Sequence, residues 1–494
     1  MSKYSTLLNT ARRRKSDTKS ENPEMESMSD KSRVIYSPAF RRMQQKAQVF
    51  SLETNASVRS RLTHTLEVAD CGKRIALGVS DKLIALNLLD YTEKDIFVNM
   101  AETACLMHDI GNPPFGHFGE EAIKRWFNNN SLQLLQEAGI EPPKELKNTR
   151  NDPQPKNTVS SEYKMLCDFL EFDGNPQGFR IATHLSGIKT EDYIYGLNLT
   201  YAQLAAFVKY TRLPGVIKAG PFGKKPGYFY TEEQIYKEVL NNLKISERHP
   251  IDYIMEAADD ISYCRSDIED GIEKNIVTPS QFFIFLKIYF EDQKRKIFEN
   301  EFKHFISTIC RIDLQNATTE YDFFKFKIGA SNTLNKKAID TYIKNEPSIL
   351  NGSFFSIMED ESFESELLKC LKIFARTFLF VSPEAENMEI AGFHIISGLL
   401  DDFKPLLSIS SISFMQLVKN EKVKKLDIEK RLLNKLPEKY IAVYLDHLKN
   451  LNLPTQNEEF KEWYLRAHLI VDYISGMTDS HSFEIHKLFK GIEV

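Results

Sequence analysis

The feature that most constrains this chain is its shortage of the two residues that interrupt regular structure. Its 494 residues include 21 glycines and 19 prolines, about 8% together, where roughly 12% is typical. So few turn formers argue against the many tight hairpins of a β-rich fold. Period-2 alternation of apolar residues is also rare. We therefore predict a mainly α fold of long helices, with at most a small β-hairpin near residues 184–197.

The scarce turn formers are concentrated in one part of the sequence. Residues 111–227 hold 12 of the glycines and 10 of the prolines. Within this part, we predict exposed loops over residues 139–160 and 213–230. The second loop contains Gly223-Lys224 but lacks the spacing of a phosphate-binding P-loop. Loops of this kind often carry function on a rigid frame.

Charge and cysteine usage exclude several classes of protein. The net charge is −5, so the chain as a whole is not a basic nucleic-acid binder. Its six cysteines form no CxxC pair, which is typical of a reduced, cytoplasmic protein. No apolar run reaches the roughly 18 residues of a membrane span. The basic run at residues 12–15 is not followed by the apolar segment of a signal peptide.

One segment brings several chemically active side chains together. The sequence HDIGNPPFGHFGE, residues 108–120, contains His108, Asp109, His117 and Glu120 around a predicted helix end at Gly111. Adjacent helix residues point about 100° apart, so His108 and Asp109 can share an ion only at an edge that faces a cavity. Two ligands do not hold a catalytic metal, and others must come from elsewhere.

Two distant residues are candidates for the missing ligands. His64 lies on an apolar helix face, where a histidine is more often a hydrogen-bonded core residue than a ligand. Asp259 and Asp260 follow two alanines, and burying them unpaired would be costly; the alternative is an acidic pair at the surface. His64, His108, Asp109 and Asp259 would offer mixed nitrogen and oxygen ligation, which suits Mn²⁺, Fe, Co or Zn²⁺ better than Mg²⁺.

Helical spacing extends the candidate site beyond Asp259. Asp259, Tyr263 and Asp267 are spaced i, i+4, i+8 and fall within a stripe of about 80°. We therefore expect all three to line one wall. Asp260 falls outside this stripe, which favours Asp259 as the ligand.

His117 and Glu120 allow two interpretations. The first is a helix start near Phe118, with the two residues arranged as a capping box, although histidine is a poor N-cap. The second is a functional pair in which the carboxylate orients the imidazole and favours its charged form. The sequence alone leaves both open.

With these residues in place, the sequence resembles the HD-domain metal-dependent phosphohydrolases, whose signature is H…HD…D. Further segments narrow the resemblance to the bacterial deoxyguanosine triphosphate triphosphohydrolases and their dNTP triphosphohydrolase relatives. These segments occur in the expected order over about residues 35–480 and read RSRLTHTLEVA, HDIGNPPFGHFGEEAI, GLNLTYAQLAAFVKY, YIMEAADDISY and VDYISGMTD.

The resemblance implies metal-dependent hydrolysis of a deoxynucleoside triphosphate, dGTP above all, to the deoxynucleoside and inorganic triphosphate. It implies that His64, His108, Asp109 and Asp259 bind the metal, most often Mn²⁺ or Mg²⁺, and that His117 and Glu120 are catalytic. The residues implied to bind substrate are Arg61, Gln48, Asn112, Lys209, Tyr210, Tyr263 and Asp267.

The resemblance also implies an organisation of the chain. We expect a polar, mobile tail over residues 1–33, an HD-domain core over 34–280 and a helical region over 281–494 that packs on the core and contributes VDYISGMTD. It further implies a homo-oligomer, a hexamer or another even-numbered assembly. Single-stranded DNA is a candidate partner of the basic run 12–15 or the Lys-rich segment 420–431, although solvated helix faces explain both runs better.

Two other functions remain compatible with the sequence. One is another HD-type phosphohydrolase that acts on a nucleoside monophosphate or a signalling nucleotide. The other is a non-catalytic regulator that binds a nucleotide or single-stranded DNA. Retention of all six metal-site and His–Glu residues argues against the regulator, because a binding module has no need of the full set.

Overall fold

The structure, a computed structural model, describes residues 2–16, 22–147, 159–187 and 196–492. In these ranges the chain is mainly helical, and its β-contacts are two isolated bridges, Arg12 with Thr200 and Ala47 with Ser60. The predicted mainly α fold is confirmed. Most of the hairpin predicted near 184–197 lies outside the described residues. The first two residues of the predicted hairpin, 184 and 185, belong to the π-helical turn Ile181–Leu185.

The first half of the chain contains the following α-helices. They are α1 (Pro23–Ile35), α2 (Pro38–Arg42), α3 (Arg61–Ala85), α4 (Lys94–Met107), α5 (Gly116–Glu137), α6 (Lys144–Lys147), α7 (Ser161–Leu170), α8 (Gly174–Arg180), α9 (Tyr201–Phe207), α10 (Glu233–Leu243) and α11 (Asp252–Glu273).

The second half adds a further set of helices. They are α12 (Pro279–Glu291), α13 (Glu299–His304), α14 (Glu320–Lys344), α15 (Glu346–Leu350), α16 (Phe363–Phe378), α17 (Pro383–Ser408), α18 (Ser411–Val418), α19 (Asp427–Leu433), α20 (Glu438–Asn450), α21 (Glu458–Ser475) and α22 (Asp479–Phe489). Among the described helices, none combines the length and apolar character that a membrane crossing requires.

The centre of the fold is the group α3, α4 and α11. Helix α3 packs against α4, α11 and α14, and α11 also contacts α16. The apolar face of α4 forms part of this core, since Ala101, Ala104 and Cys105 are fully buried. Helices from both sides of the boundary predicted at 280/281 share one hydrophobic core, and the boundary itself stays a prediction.

The N-terminal segment differs from the mobile polar tail predicted for residues 1–33. Tyr4, Leu7 and Leu8 are buried, at a helix-like i, i+3, i+4 spacing that the surrounding polar residues obscure in the sequence. Arg12 forms ion pairs with Glu26 at 2.7 Å and Asp30 at 2.5 Å. Because its charge is used inside the protein, Arg12 is not available as part of a nucleic-acid contact.

The Gly/Pro-rich loops fall where the composition placed them. Residues 213–229 contain only one short 3-10 turn, and the next turn, Tyr230–Glu232, leads into α10. The 139–160 loop contains the four-residue helix α6, and residues 148–158 lie outside the described part of the chain. Both loops connect helices of the first half of the chain: the 139–160 loop lies between α5 and α7, and the 213–230 loop lies between α9 and α10.

Candidate active site

The four residues predicted to bind a metal come together from three helices. His64 lies in the first turn of α3, His108 caps the C-terminus of α4 with Asp109 behind it, and Asp259 lies within α11. His64 Nε2 lies 3.4 Å and His108 Nε2 3.6 Å from Asp259 Oδ1, and His108 Nε2 lies 3.7 Å from Asp109 Oδ2. Asp259 therefore lies beside both imidazoles, and Asp109 lies beside that of His108.

This donor set fits a divalent cation. Nδ1 of His108 lies 2.8 Å from the Cys105 carbonyl oxygen, so this nitrogen carries the proton and Nε2 is left as the free lone pair. That Nε2 is buried and has no hydrogen-bond partner among the described residues, an arrangement that is rare for a buried polar atom without a ligand. Ligand atoms of His64, His108 and Asp109 lie within 4.8 Å of one another.

The two carboxylates are held in their charged form. Burial alone would raise the pKa of Asp109, but the Arg61 guanidinium and the two imidazoles hold it well below its ordinary value. Arg61 Nη1 donates to Asp109 Oδ2 at 2.6 Å, and the Asn112 amide donates to Oδ1. Burial likewise opposes ionisation of Asp259, whose pKa is lowered by His108 and His64. Ionised carboxylates are the form that binds a cation.

His117 and Glu120 form a hydrogen-bonded pair in the first turn of α5. His117 Nδ1 lies 2.9 Å from Glu120 Oε2, and Glu120 Oε1 accepts the Gly174 N–H at 2.8 Å. The hydrogen bond to Glu120 raises the pKa of His117, and the pKa of the buried Glu120 is lowered by the same contact. The capping-box interpretation is wrong, because α5 begins at Gly116 with Phe115 as its N-cap.

A sharp backbone corner places this pair beside Arg61. Phe115 and Gly116 both adopt left-handed conformations, with φ of 59° and 54°. A side chain at Gly116 would place its Cβ 2.6 Å from Arg61 Nη2. Glycine is therefore required here both for its conformational freedom and for the close approach of the guanidinium.

A cleft of about 370 Å³ is lined by three of the four predicted metal ligands, His108, Asp109 and Asp259, and by His117 and Glu120. Of the residues predicted to contact substrate, the cleft is lined by Gln48, Arg61, Asn112, Lys209, Tyr210 and Tyr263. Lys209 Nζ pairs with Glu256 at 3.1 Å and lies 5.7 Å from the centre of the Tyr210 ring. The Tyr263 ring lies edge-on to His64, with 6.5 Å between centroids.

Asp267 differs from its predicted position on the cleft wall. It is fully buried and is not among the cleft-lining residues. It lies two helical turns from Asp259, about 12 Å along the axis, so the wall ends before this residue is reached. Burial, together with Asp270 and Asp259, raises the pKa of Asp267 well above its ordinary value.

Sequence reasoning missed several residues that line the cleft. Lys225 comes from the 213–230 loop and pairs with Asp173 at 2.7 Å. Lys372, Arg376 and Phe380 come from α16 and the turn behind it. Their i, i+4, i+8 spacing places them on one helix face, and this spacing could have indicated that they act together. Basic and aromatic residues on one helix face are, however, too common to assign a role.

The segment VDYISGMTD approaches the site from the end of α21. Asp472 accepts hydrogen bonds from the Arg180 guanidinium at 2.7 to 3.0 Å. Lys46 Nζ donates one hydrogen bond to the Ser475 carbonyl at 2.9 Å and another to the Asn112 carbonyl at 2.5 Å. This C-terminal motif therefore contacts the segments that carry Gln48 and Asn112.

Helical folding around a His, His-Asp and Asp cluster defines an HD-domain protein, and the HD-domain family model matches residues 61–150. A deoxyguanosinetriphosphate triphosphohydrolase of Enterobacter sp. (strain 638) is 36% identical over 484 residues, which are 94% of this chain and 94% of that relative. The chain belongs to the deoxyguanosinetriphosphate triphosphohydrolase family of HD-domain enzymes.

Proposed function

We propose that this protein hydrolyses deoxynucleoside triphosphates, dGTP above all, to the deoxynucleoside and inorganic triphosphate. The observation that carries the proposal is one cleft lined both by His108, Asp109 and Asp259 of the predicted metal site and by the His117–Glu120 pair. The relative that matches over 94% of the chain bears the name of this activity. In the reaction, the Pα–O5′ bond breaks, water supplies the new oxygen on phosphorus, and O5′ takes up a proton.

His64, His108, Asp109 and Asp259 would hold a divalent cation. Mn²⁺ and Mg²⁺ are the first candidates, and Fe, Co and Zn²⁺ also suit the two imidazoles and two carboxylates. Bound there, the cation would polarise the α-phosphate and lower the pKa of a coordinated water. Asn112 and Arg61 fix both oxygens of the Asp109 carboxylate, which keeps this ligand in one orientation.

Basic side chains around the cleft would bind the triphosphate. Arg61 and Lys209 are the residues assigned this role, and Lys225, Lys372 and Arg376 line the same cleft. A triphosphate would add about four negative charges to a chain of net charge −5, so local cations are required for binding. Asn112 would contribute on the phosphate side, and Gln48 and Tyr210 towards the sugar.

His117 would deliver the proton to O5′ or position the attacking water. Its hydrogen bond to Glu120 raises its pKa, and the imidazole is largely exposed at the cleft. A protonated imidazole that opens onto the substrate is suited to act as a general acid. Glu120 would set the tautomer and charge of the ring, while the Gly174 N–H holds the carboxylate in place.

Tyr263 and Asp267 would recognise the deoxyribose. Tyr263, packed between His64 and Phe380, would stack on the sugar and leave little room for a 2′-hydroxyl. Asp267 would accept the 3′-hydroxyl, and its buried side chain interacts with Tyr263, the residue assigned to the sugar. Because Asp267 lies behind the cleft surface, the contact requires a local opening at Tyr263.

We extend the proposal to assembly and location. A homo-oligomer of even number, such as a hexamer, and a cytoplasmic location follow from the resemblance and from the cysteine pattern. Single-stranded DNA is a further candidate partner. Since Arg12 is used in internal ion pairs, the exposed Lys-rich segment 420–431 is the better place to test that contact.

The proposal is tested by incubating the protein with each dNTP and with GTP, in the presence of Mn²⁺ or Mg²⁺, and resolving the products. We expect inorganic triphosphate and the deoxynucleoside, with dGTP preferred over GTP. A metal-free reaction is the control. Release of monophosphate or pyrophosphate would assign the chain to another HD-type chemistry, and binding without turnover would assign it to a regulator.

A further inference from the structure

The carboxylate of Asp479 connects two segments that are far apart in the sequence. Its Oδ2 accepts the N–H of Ala47 at 2.9 Å, and its Oδ1 accepts the N–H of Phe115 at 3.1 Å. The side chain is almost completely buried. Each oxygen therefore satisfies one backbone N–H that would otherwise be buried without a partner.

Both segments carry residues of the cleft. Ala47 directly precedes Gln48. The residue before it, Lys46, contacts the start of α3, because its carbonyl accepts a hydrogen bond from the Arg61 N–H at 2.9 Å. Phe115 is the left-handed residue two positions before His117. Asp479 itself is absent from the lining of the cleft and faces a separate cavity on the other side of the 46–60 segment.

We propose that Asp479 is a positioning residue that sets the distance between the Gln48 segment and the His117 corner. One rigid carboxylate fixes both N–H groups, so a shift of either segment breaks a charge-assisted hydrogen bond. The inference rests on the proposed function, because it assigns His117 to catalysis and Gln48 to substrate binding. Asp479 acts through these residues and does not contact substrate.

The test is Asp479→Asn, which keeps the shape but replaces one acceptor oxygen by an amino group that cannot accept an N–H. A displacement of about 1 Å at a reacting group can lower the rate by about 100-fold. We expect kcat to fall by about 10- to 100-fold and KM to rise, with bound metal unchanged. Asp168→Asn is the matched control, since Asp168 is also buried, accepts the Tyr230 N–H at 3.1 Å and lies outside the cleft.

A double-mutant cycle separates positioning from general destabilisation. If Asp479 acts through His117, Asp479→Asn lowers kcat in the wild type but has little further effect on kcat in the His117→Ala background. Loss of kcat by the same factor in both backgrounds would overturn the inference. Unchanged kcat and KM in Asp479→Asn would also overturn it, whereas unchanged activity in His117→Ala alone would instead contradict the proposed function.

A second variant keeps the inference testable if Asp479→Asn does not fold. Ala47→Pro removes the N–H on the Gln48 side, fixes φ of residue 47 and leaves the Phe115 contact in place. We expect KM to rise several-fold while kcat stays within about twofold, because the His117 corner keeps its hydrogen bond. A large fall in kcat without a change in KM would show that the two segments do not have the separate roles assigned to them.

Discussion

At the scale of single residues, the buried charged side chains of the site differ from the exposed imidazole of His117, to which we assign proton transfer. His64 Nε2 forms a hydrogen bond with Asp259 Oδ1 at 3.4 Å, His108 Nε2 lies 3.6 Å from the same oxygen, and Asp109 is kept ionised by Arg61. His117 is the exception, because its ring is exposed and its pKa is raised by Glu120. The two kinds of residue should therefore respond differently to substitution.

We predict that His117→Ala lowers kcat by about 10²- to 10⁴-fold, the usual contribution of a general acid, while bound metal stays at the wild-type level. Asp259→Ala should lose the metal, since its carboxylate lies within 3.6 Å of both imidazoles. The measurements are triphosphate release and metal content of the purified variants. If metal falls together with activity in His117→Ala, the role of His117 is misassigned.

We predict a pH dependence with a defined sign. Because the pKa of His117 is raised by Glu120, its protonated form persists to higher pH, and activity should fall as the pH rises through this value. Glu120→Gln removes the negative charge, so the alkaline limb of the kcat profile should move to lower pH. Glu121→Gln is the control, as Glu121 pairs with Lys124 and Arg125 outside the cleft. An unmoved limb in Glu120→Gln would contradict the assignment.

At the scale of elements, the sequence predicted the helices better than their junctions. The spacing of Asp259, Tyr263 and Asp267 correctly indicated a helix, α11, whereas α4 ends at Met107, with His108 as its C-cap, four residues before the predicted end at Gly111. The left-handed Phe115 was not predictable, since a bulky residue adopts this conformation only when tertiary contacts enforce it. The start of α5 and the position of His117 follow from that corner. Lys372 and Arg376 were missed because nothing local indicates which helix α16 meets.

We predict that Gly116→Ala reduces both stability and activity, whereas Gly139→Ala reduces stability alone. Both glycines have positive φ, 54° and 81°, so alanine is strained at either position, by about 1–2 kcal/mol. Only Gly116 approaches another group, since its Cβ would lie 2.6 Å from Arg61 Nη2, while nothing lies within 4 Å at Gly139. Thermal unfolding and kcat of both variants test this difference. Equal activity in the two variants would mean that the Arg61 contact is unimportant.

At the scale of the whole molecule, buried charges join the first half of the chain to its last helices. Arg180 at the end of α8 contacts Asp472 in α21 at 2.7 Å and Glu232 at 3.0 Å, and all three are buried. The N-terminus of α8 also supplies the Gly174 N–H to Glu120. The resemblance identified VDYISGMTD as a motif, but only the fold shows which charged group Asp472 meets.

We predict that Arg180→Met destabilises the protein by about 3–5 kcal/mol, because two buried carboxylates lose their cation. Burial already raises the pKa of Asp472 and Glu232, and Arg180 opposes that effect. In the variant both carboxyls should be protonated when folded, so stability is lost as pH rises and the deficit is larger at pH 8 than at pH 5. Urea unfolding at both pH values measures this. Arg74→Met, in an exposed pair with Asp70, should cost less than about 1 kcal/mol.

The contacts of Ser475 and Asp479 with residues 46, 47 and 115 have a consequence for synthesis. Residues 46–48 leave the ribosome more than 400 residues before Asp479 does. The predicted metal ligands and the His–Glu pair are present in the emerging chain, but Ser475 and Asp479, which contact the segments around them, arrive last. Enzymatic activity should therefore appear only after the C-terminal helices have folded onto the core, and a protease that removes α22 and Asp479 with it should silence an otherwise folded protein.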